Sequence, residues 1–262
     1  MIKAVFFDID GTLVPFGRKS IPETTRRSIE RLRQNGIKVF IATGRHPEWI
    51  VNLGDMEFDG YVATNGSMCL LGDGRTEIYR HEIDREDMER LIPFANSHDI
   101  PFVVVPANGG IFVTSENMNL VEASKMLHIP PIPIEKIEKT RDLQVVQMMA
   151  FASPEVIVDT RLFQDVLKHC VPTSWNPLFA DIVPIGGSKA VGIDRMIEYF
   201  GIDLSETMAF GDGDNDISML KHCGIGVAMG QAPASVKDSA DYVTASVDDD
   251  GVTKALAHFN LI

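Results

Sequence analysis

This 262-residue sequence predicts an α/β fold: a parallel sheet flanked by helices, with a smaller α+β segment inserted in its middle. Three observations carry that expectation. Short apolar runs alternate with amphipathic helices at both ends of the chain, which implies parallel pairing through crossover connections. The middle changes to closely spaced strands with a hairpin signal, the mark of antiparallel pairing. Gly186-Gly187 then offers a natural hinge back to strand–helix alternation.

In chain order, Ala4-Val5-Phe6-Phe7 is an aromatic and β-branched run that reads as a buried strand, followed by Asp8-Ile9-Asp10-Gly11-Thr12. Ser20-Ile21-Pro22-Glu23 predicts a capping box with proline in the first helical turn. Ile21, Ile29 and Leu32 give that helix its apolar stripe, and Asn35-Gly36 stops it. Its Arg26, Arg27, Arg31 and Arg33 are interspersed with Glu23 and Glu30 and read as a solvated face. Ile37–Ala42 and Gly60–Ala63 are the next strands, the second ending at Thr64-Asn65-Gly66.

From about Glu77 to Ile185 the order becomes strand, helix, hairpin, helix, strand, helix and two strands. The hairpin joins Pro101–Pro106 to Gly110–Ser115 through Ala107-Asn108-Gly109. Helices are expected at Asp84–His98, Glu116–His128 and Pro154–His169, and a long strand at Leu143–Phe151. The expected result is an antiparallel sheet with helices on one face. Alternation resumes with a helix at Ser188–Phe200, strands at Thr207–Phe210 and Ile225–Ala228, a short helix between them, Tyr242-Val243-Thr244 and a terminal helix. Residues 1–80 and 186–262 therefore read as one domain, and 81–185 as its insertion.

The composition, 45% apolar and 23% charged, is that of a soluble globular protein. A net charge of −13 argues against non-specific binding to nucleic acid or an anionic membrane, so any phosphate must be met by a metal or by single placed cations. Cys69, Cys170 and Cys223 form no CxxC pair, which predicts neither a zinc site nor a disulfide framework. No stretch reads as a signal peptide or membrane span, so a reduced, cytoplasmic setting is expected. No protein partner is implied.

Four loops carry the chemistry. Residues two apart on a strand point the same way, so Asp8 and Asp10 can face one site, and Gly11 allows a sharp turn there. Alone this is an Asp-Gly turn; as a site, its repelling carboxylates call for a shared proton or a cation. Thr43-Gly44-Arg45 follows the second strand and offers a hydroxyl and backbone N–H groups where ligands collect in parallel sheets. Lys189 opens a helix, where the dipole disfavours a cation unless it offsets nearby negative charge. Gly211-Asp212-Gly213-Asp214-Asn215-Asp216 puts three acids in five residues at a strand end, a donor set suited to Mg²⁺. An EF-hand reading fails, because Ile217 and Cys223 occupy the glycine and glutamate positions; a dinucleotide fingerprint fails at Asp216.

In this order the four loops resemble the haloacid dehalogenase superfamily. The insertion resembles its type-2 cap, and the loop text, Thr64-Asn65-Gly66 included, is similar to the Cof-type sugar-phosphate phosphatases. Ala190 departs from that pattern, which often has glycine after the lysine. The resemblance implies a Rossmann-like core at 1–80 and 186–262 and a substrate-specificity cap at 81–185. It implies a phosphatase acting on a small phosphorylated metabolite, with Asp8 as nucleophile and Asp10 as general acid and base. The superfamily's dehalogenases lack the second Asp, so Asp10 favours phosphoryl transfer. Asp8, the Asp10 carbonyl, Asp212 and, through water, Asp216 would hold Mg²⁺. Thr43, Gly44, Arg45, Lys189 and Asn215 would bind phosphate. Trp175, Asn176 and Phe179 are candidate substrate-facing residues of the cap, and His46 is a further neighbour of the phosphate loop. A phosphomannomutase-type transferase and a non-catalytic phosphate- or Mg²⁺-binding protein are the alternatives.

Overall fold

The computed structural model describes residues 1–127 and 129–262, with every side chain among them except that of Trp175. Two compact units emerge, Met1–Tyr79 with Ser188–Ile262, and Arg80–Gly187.

The first unit is built on β1 (Ala4–Phe7), whose four residues are all buried. Alternate residues enter opposite cores, as a two-residue period requires. Val5 and Phe7 pack with Ile29 and Leu32 of α1 (Glu23–Gln34) and with residues of the C-terminal helix. Ala4 and Phe6 pack on the other side with Ile193, Met196 and Met219. A strand covered on both faces is necessarily apolar throughout, which is why β1 shows no polar alternation.

β1 lies between β2 (Lys38–Ala42) and a strand from the far end of the chain, Thr207–Gly211, both parallel to it. On one side follow β3 (Gly60–Ala63), parallel, then β4 (Met68–Leu71), antiparallel, then β5 (Glu77–Arg80). The strands after the insertion extend the sheet on the other side. The chain therefore leaves β1 in one direction early and in the opposite direction late, which makes the carboxyl end of β1 a topological switch point.

α1 starts at Glu23 with Pro22 in extended backbone before it and no side-chain cap. The expected capping box is absent because Glu23 turns forward to Arg27, at 2.9 Å. β4 had no distinct signal in the sequence, and β5 joins the first sheet beside it instead of opening the second.

The second unit has α2 (Arg85–Ser97), β6 (Phe102–Pro106), β7 (Phe112–Val113), α3 (Met118–Leu127), β8 (Val145–Ala150), α4 (Pro154–Asp159), β9 (Cys170–Asn176) and β10 (Phe179–Pro184). Its sheet runs β7-β6-β8-β10-β9, antiparallel throughout. Met88, Leu91 and Ile92 of α2 and Ile157 of α4 share one core with Phe102, Val104, Met148 and Ile182, whereas α3 buries Leu120, Ala123 and Leu127 outside it. The long helix expected at Pro154–His169 breaks after Asp159: Arg161 is left-handed (φ 55°) and a single wide turn follows at Leu162–Val166. The break lets Ile157, Leu162 and Leu167 all bury, and buried Asp87 accepts the Lys168 and His169 N–H groups at 2.9 and 2.7 Å. The helix expected at Glu116–His128 is described over Met118–Leu127, and His128 lies outside the described residues.

The first unit is completed by α5 (Lys189–Phe200), β11 (Thr207–Gly211), α6 (Ile217–His222), β12 (Ile225–Ala228), α7 (Ala234–Lys237), β13 (Tyr242–Val243) and α8 (Gly251–His258). β11, β12 and β13 are successive parallel neighbours. None of the described helices is long and apolar enough to cross a membrane.

Candidate active site

The ends of β1, β2 and β11 deliver three of the four loops to one place, and the start of α5 delivers the fourth. Asp8 leaves β1 with its N–H donating to the Phe210 carbonyl at 3.0 Å, so the strand pairing itself fixes its position beside β11. Asp8, Asp212 and Asp216 are all buried, and one carboxylate oxygen from each lies within 4.8 Å of the others. Lys189, fully buried, donates to Asp8 Oδ1 at 2.7 Å and to Asp216 Oδ1 at 2.5 Å. Its place at the head of α5, unfavourable to the helix dipole, is explained by this pairing. The other Asp216 oxygen accepts the Asp212 and Gly213 N–H groups, both at 2.9 Å, which shapes the acidic loop.

The electrostatics follow from burial. Desolvation, then the neighbouring Asp216 and Asp212 charges, push the Asp8 carboxyl well above the ordinary range against the pull of Lys189. Burial and Asp216 push Asp212 to about 7. Burial alone would lower the Lys189 ammonium, but Asp216 and Asp8 outweigh it and hold the charge in place. Fully ionised, the three carboxylates would exceed the one ammonium by two negative charges, which is why burial holds protons on Asp8 and Asp212.

Asp10 does not join this group. Its carboxylate is gripped by the Arg45 guanidinium, Nε to Oδ2 at 2.7 Å and Nη2 to Oδ1 at 2.8 Å. Arg45 Nη1 donates to the Trp49 carbonyl at 3.0 Å. Arg45, expected from the sequence to be a phosphate ligand, here sets its planar fork two-pronged on the Asp10 carboxylate. Thr43 is buried with its Oγ1 accepting the Arg45 N–H at 3.1 Å, and Gly44 stands partly open beside it. Asn215, half-buried, donates from Nδ2 to Asn65 Oδ1 at 2.9 Å. His46 is buried and caps the following turn, its Nδ1 accepting the Glu48 N–H at 3.3 Å. In the second unit Phe179 is fully buried against Phe151, and Asn176, partly exposed, accepts the Leu178 N–H at 3.0 Å within its own turn. The Trp175 side chain lies outside the described residues.

Thr12 and Gly11 of the first loop, and Gln231, which carries no sequence signal, support the site. Thr12 donates to Asp212 Oδ1 at 3.2 Å. Gln231 donates to the Gly11 carbonyl at 2.6 Å and accepts the Val247 N–H at 3.0 Å, tying the first loop to the C-terminal segment. Gly11 is required twice over: its φ is +84°, and a Cβ there would lie 2.1 Å from Asp212 Oδ2. Gly11→Ala should therefore cost well beyond the ~1–2 kcal/mol of a left-handed alanine and weaken Mg²⁺ binding, read by denaturant melts and calorimetric titration. Unchanged Mg²⁺ affinity in a folded variant would contradict this packing.

A family model for haloacid dehalogenase-like hydrolases matches residues 5–256. The solved structure of the HAD subclass IIB sugar phosphatase BT4131 is 41% identical, with a TM-score of 0.91, covering 99% of this chain and 100% of its own. BT1666 from Bacteroides thetaiotaomicron, described among phosphatases of the haloalkanoate enzyme superfamily, is 34% identical with a TM-score of 0.89, covering 100% of this chain and 96% of its own. YkrA of Bacillus subtilis (strain 168) is 32% identical over 270 residues, 99% of this chain and 98% of its own. With strand-end acids, buried lysine and whole-chain similarity in agreement, this chain belongs to the haloacid dehalogenase-like hydrolases.

Proposed function

We propose that the protein is a Mg²⁺-dependent phosphatase that hydrolyses small phosphomonoesters, sugar phosphates foremost, through an aspartyl-phosphate on Asp8. The observation that carries this reading is the clustering of the Asp8, Asp212 and Asp216 carboxylates, the first and last paired with Lys189, at the switch point of the sheet. The likeness to a protein described as a sugar phosphatase supports the substrate class.

The residues fit the ion. All donors are hard oxygens, and the two excess negative charges of the fully ionised cluster match one divalent cation. Asp8, Asp212, the Asp10 backbone carbonyl and, through water, Asp216 would hold it. Bound there, Mg²⁺ neutralises charge so that a carboxylate can approach a phosphate dianion.

The chain's own groups do the rest. Lys189 holds Asp8 Oδ1, which leaves Oδ2 as the attacking oxygen. Its attack forms a P–O bond to Asp8 and breaks the ester P–O bond. Asp10 gives a proton to the departing alkoxide, then takes one from the water that cleaves the aspartyl-phosphate and releases inorganic phosphate. Asp10 acts as the acid only in its protonated form, and the two-pronged Arg45 contact fits the carboxylate form that takes the proton from water. Thr43, the Gly44 N–H, Lys189 and Asn215 bind the phosphate oxygens. The inserted unit is the proposed cap that selects the substrate.

The test is a screen of hexose, pentose and nucleotide monophosphates, with p-nitrophenyl phosphate as a neutral reporter. Hydrolysis in Mg²⁺, its loss in EDTA and the highest kcat/KM on a sugar phosphate are expected. Mg²⁺ binding without turnover of any monoester would overturn the reading, as would a requirement for a bisphosphate activator.

The acidic cluster also predicts a pH signature. Asp212 titrates near 7 in the fold against an ordinary value of 3.8, so the folded chain holds its proton more tightly than the unfolded chain does. Without metal, that contribution is complete below about pH 4 and is lost as pH rises through 7; Asp8 shifts in the same direction. Thermal melts in EDTA from pH 5 to 8 should therefore show falling stability, and the stabilisation by added Mg²⁺ should grow with pH. A flat series would mean that the carboxylates are not buried together.

A further inference from the structure

The turn after β3 is held in a conformation that its first residue, Thr64, resists. Thr64 (φ 49°), Asn65 (φ 52°) and Gly66 (φ 92°) are left-handed in succession. For the β-branched Thr64 this is a costly choice, retained only where the surroundings dictate it, whereas Asn65 and Gly66 are residue types that adopt it more readily. Here they do. The Thr64 N–H donates to the Arg45 carbonyl at 3.1 Å and the Asn65 N–H to the Thr43 carbonyl at 3.0 Å, so the turn is stitched to the second loop. A Cβ on Gly66 would lie 2.0 Å from the Ser188 carbonyl, so the turn also abuts the residue that caps the Lys189 helix.

The left-handed backbone aims the buried Asn65 side chain inward. Its Oδ1 accepts the Asn215 Nδ2–H at 2.9 Å. Its carboxamide lies against Gly44: a Cβ there would be 3.2 Å from both Nδ2 and Oδ1. One side chain thus touches two of the proposed phosphate ligands, from β2 and β11, while its turn abuts the helix carrying a third.

We propose that Asn65 is a positioning residue of the phosphate cradle, acting through Asn215 and Gly44; this rests on the phosphatase reading above. Asn215 carries a terminal amide on a half-exposed loop with several rotamers open to it. Acceptance by Asn65 selects one of them and directs its remaining N–H away from Asn65. Packing against Gly44 fixes the neighbouring backbone N–H without contact to the anion. The strain of the turn is the cost of placing that carboxamide.

Asn65→Gly is the informative change, because glycine relieves the left-handed cost while removing the carboxamide. In Mg²⁺, KM for p-nitrophenyl phosphate and the inhibition constant of inorganic phosphate should both rise roughly five- to tenfold, the worth of one misplaced hydrogen bond, with kcat changed by less than about threefold. The melting temperature should hold or rise. Loss of folded protein would instead lower apparent kcat and leave KM unchanged. Asn65→Asp, which keeps an oxygen for Asn215, should retain kcat to within about threefold and lose phosphate affinity through charge alone, an effect that shrinks in high salt. The decisive readout is the Asn65→Gly/Asn215→Ala pair: the double variant should bind phosphate about as weakly as Asn215→Ala alone. Additive losses, or an Asn65→Gly variant with unchanged KM and phosphate inhibition, would overturn the inference while leaving the phosphatase reading intact. A wild-type chain that neither binds phosphate nor hydrolyses p-nitrophenyl phosphate would overturn both.

Discussion

Asp8→Asn is expected to abolish turnover of p-nitrophenyl phosphate while leaving a folded protein at least as stable as the wild type. The two halves have one cause. The amide has no oxygen nucleophilic enough to displace an alkoxide from phosphorus, and nothing else in the site is placed to replace it. Monoester hydrolysis in water is so slow that loss of the nucleophile leaves no measurable background. Stability moves the other way because Asp8 is one of three buried carboxylates served by a single ammonium. Its replacement removes a charge that burial and its neighbours disfavour, while the amide oxygen still accepts from Lys189. Activity in Mg²⁺ and denaturant melts in EDTA check the two halves separately. Residual Mg²⁺-dependent hydrolysis would transfer the nucleophile to another residue. A destabilised variant would mean that the three carboxylates do not repel in the fold as their burial requires.

The strands carrying the site were legible because each is covered on both faces and so had to be written as an unbroken apolar run. Asp8, Thr43 and Asp212 follow such runs directly, and strand-end position was enough to bring them together. Lys189 was legible by its misfit, a cation where the helix dipole resists one. Other features were not written locally. β4 is a four-residue strand, Met68–Leu71, whose definition comes from pairing with β3. The break after Asp159 is decided by what Ile157, Leu162 and Leu167 can bury together, a tertiary matter that helical periodicity does not encode. Arg45 adjoins the phosphate loop in sequence, yet the side chain can reach back to Asp10, and only coordinates show that it does. Gln231 and Asn65 reach across 220 and 150 positions of chain to hydrogen-bond Gly11 and Asn215, and no spacing rule anticipates such pairs.

Lys189→Met is the complementary case, and the sign of its effects separates the ammonium's two duties. Methionine nearly fills the volume, so the loss is of charge and of two hydrogen bonds. Asp8 and Asp216 then remain buried without their shared cation, and breaking such a pair from one side costs about 3–5 kcal/mol. The metal-free variant should therefore melt well below the wild type. Turnover should fall about a hundredfold to a thousandfold, as when one preorganised electrostatic donor is removed, because neither the attacking carboxylate nor the phosphate has its fixed positive partner. Mg²⁺ affinity should rise all the same, since the ion no longer competes with an ammonium 2.7 Å from Asp8 Oδ1. Tighter metal binding joined to slower chemistry is a combination that general damage to the site cannot produce. Calorimetric titration of Mg²⁺ beside steady-state assays supplies the check. Weaker Mg²⁺ binding in a folded variant would show that Lys189 holds the carboxylates apart for the ion instead of sharing their charge with it.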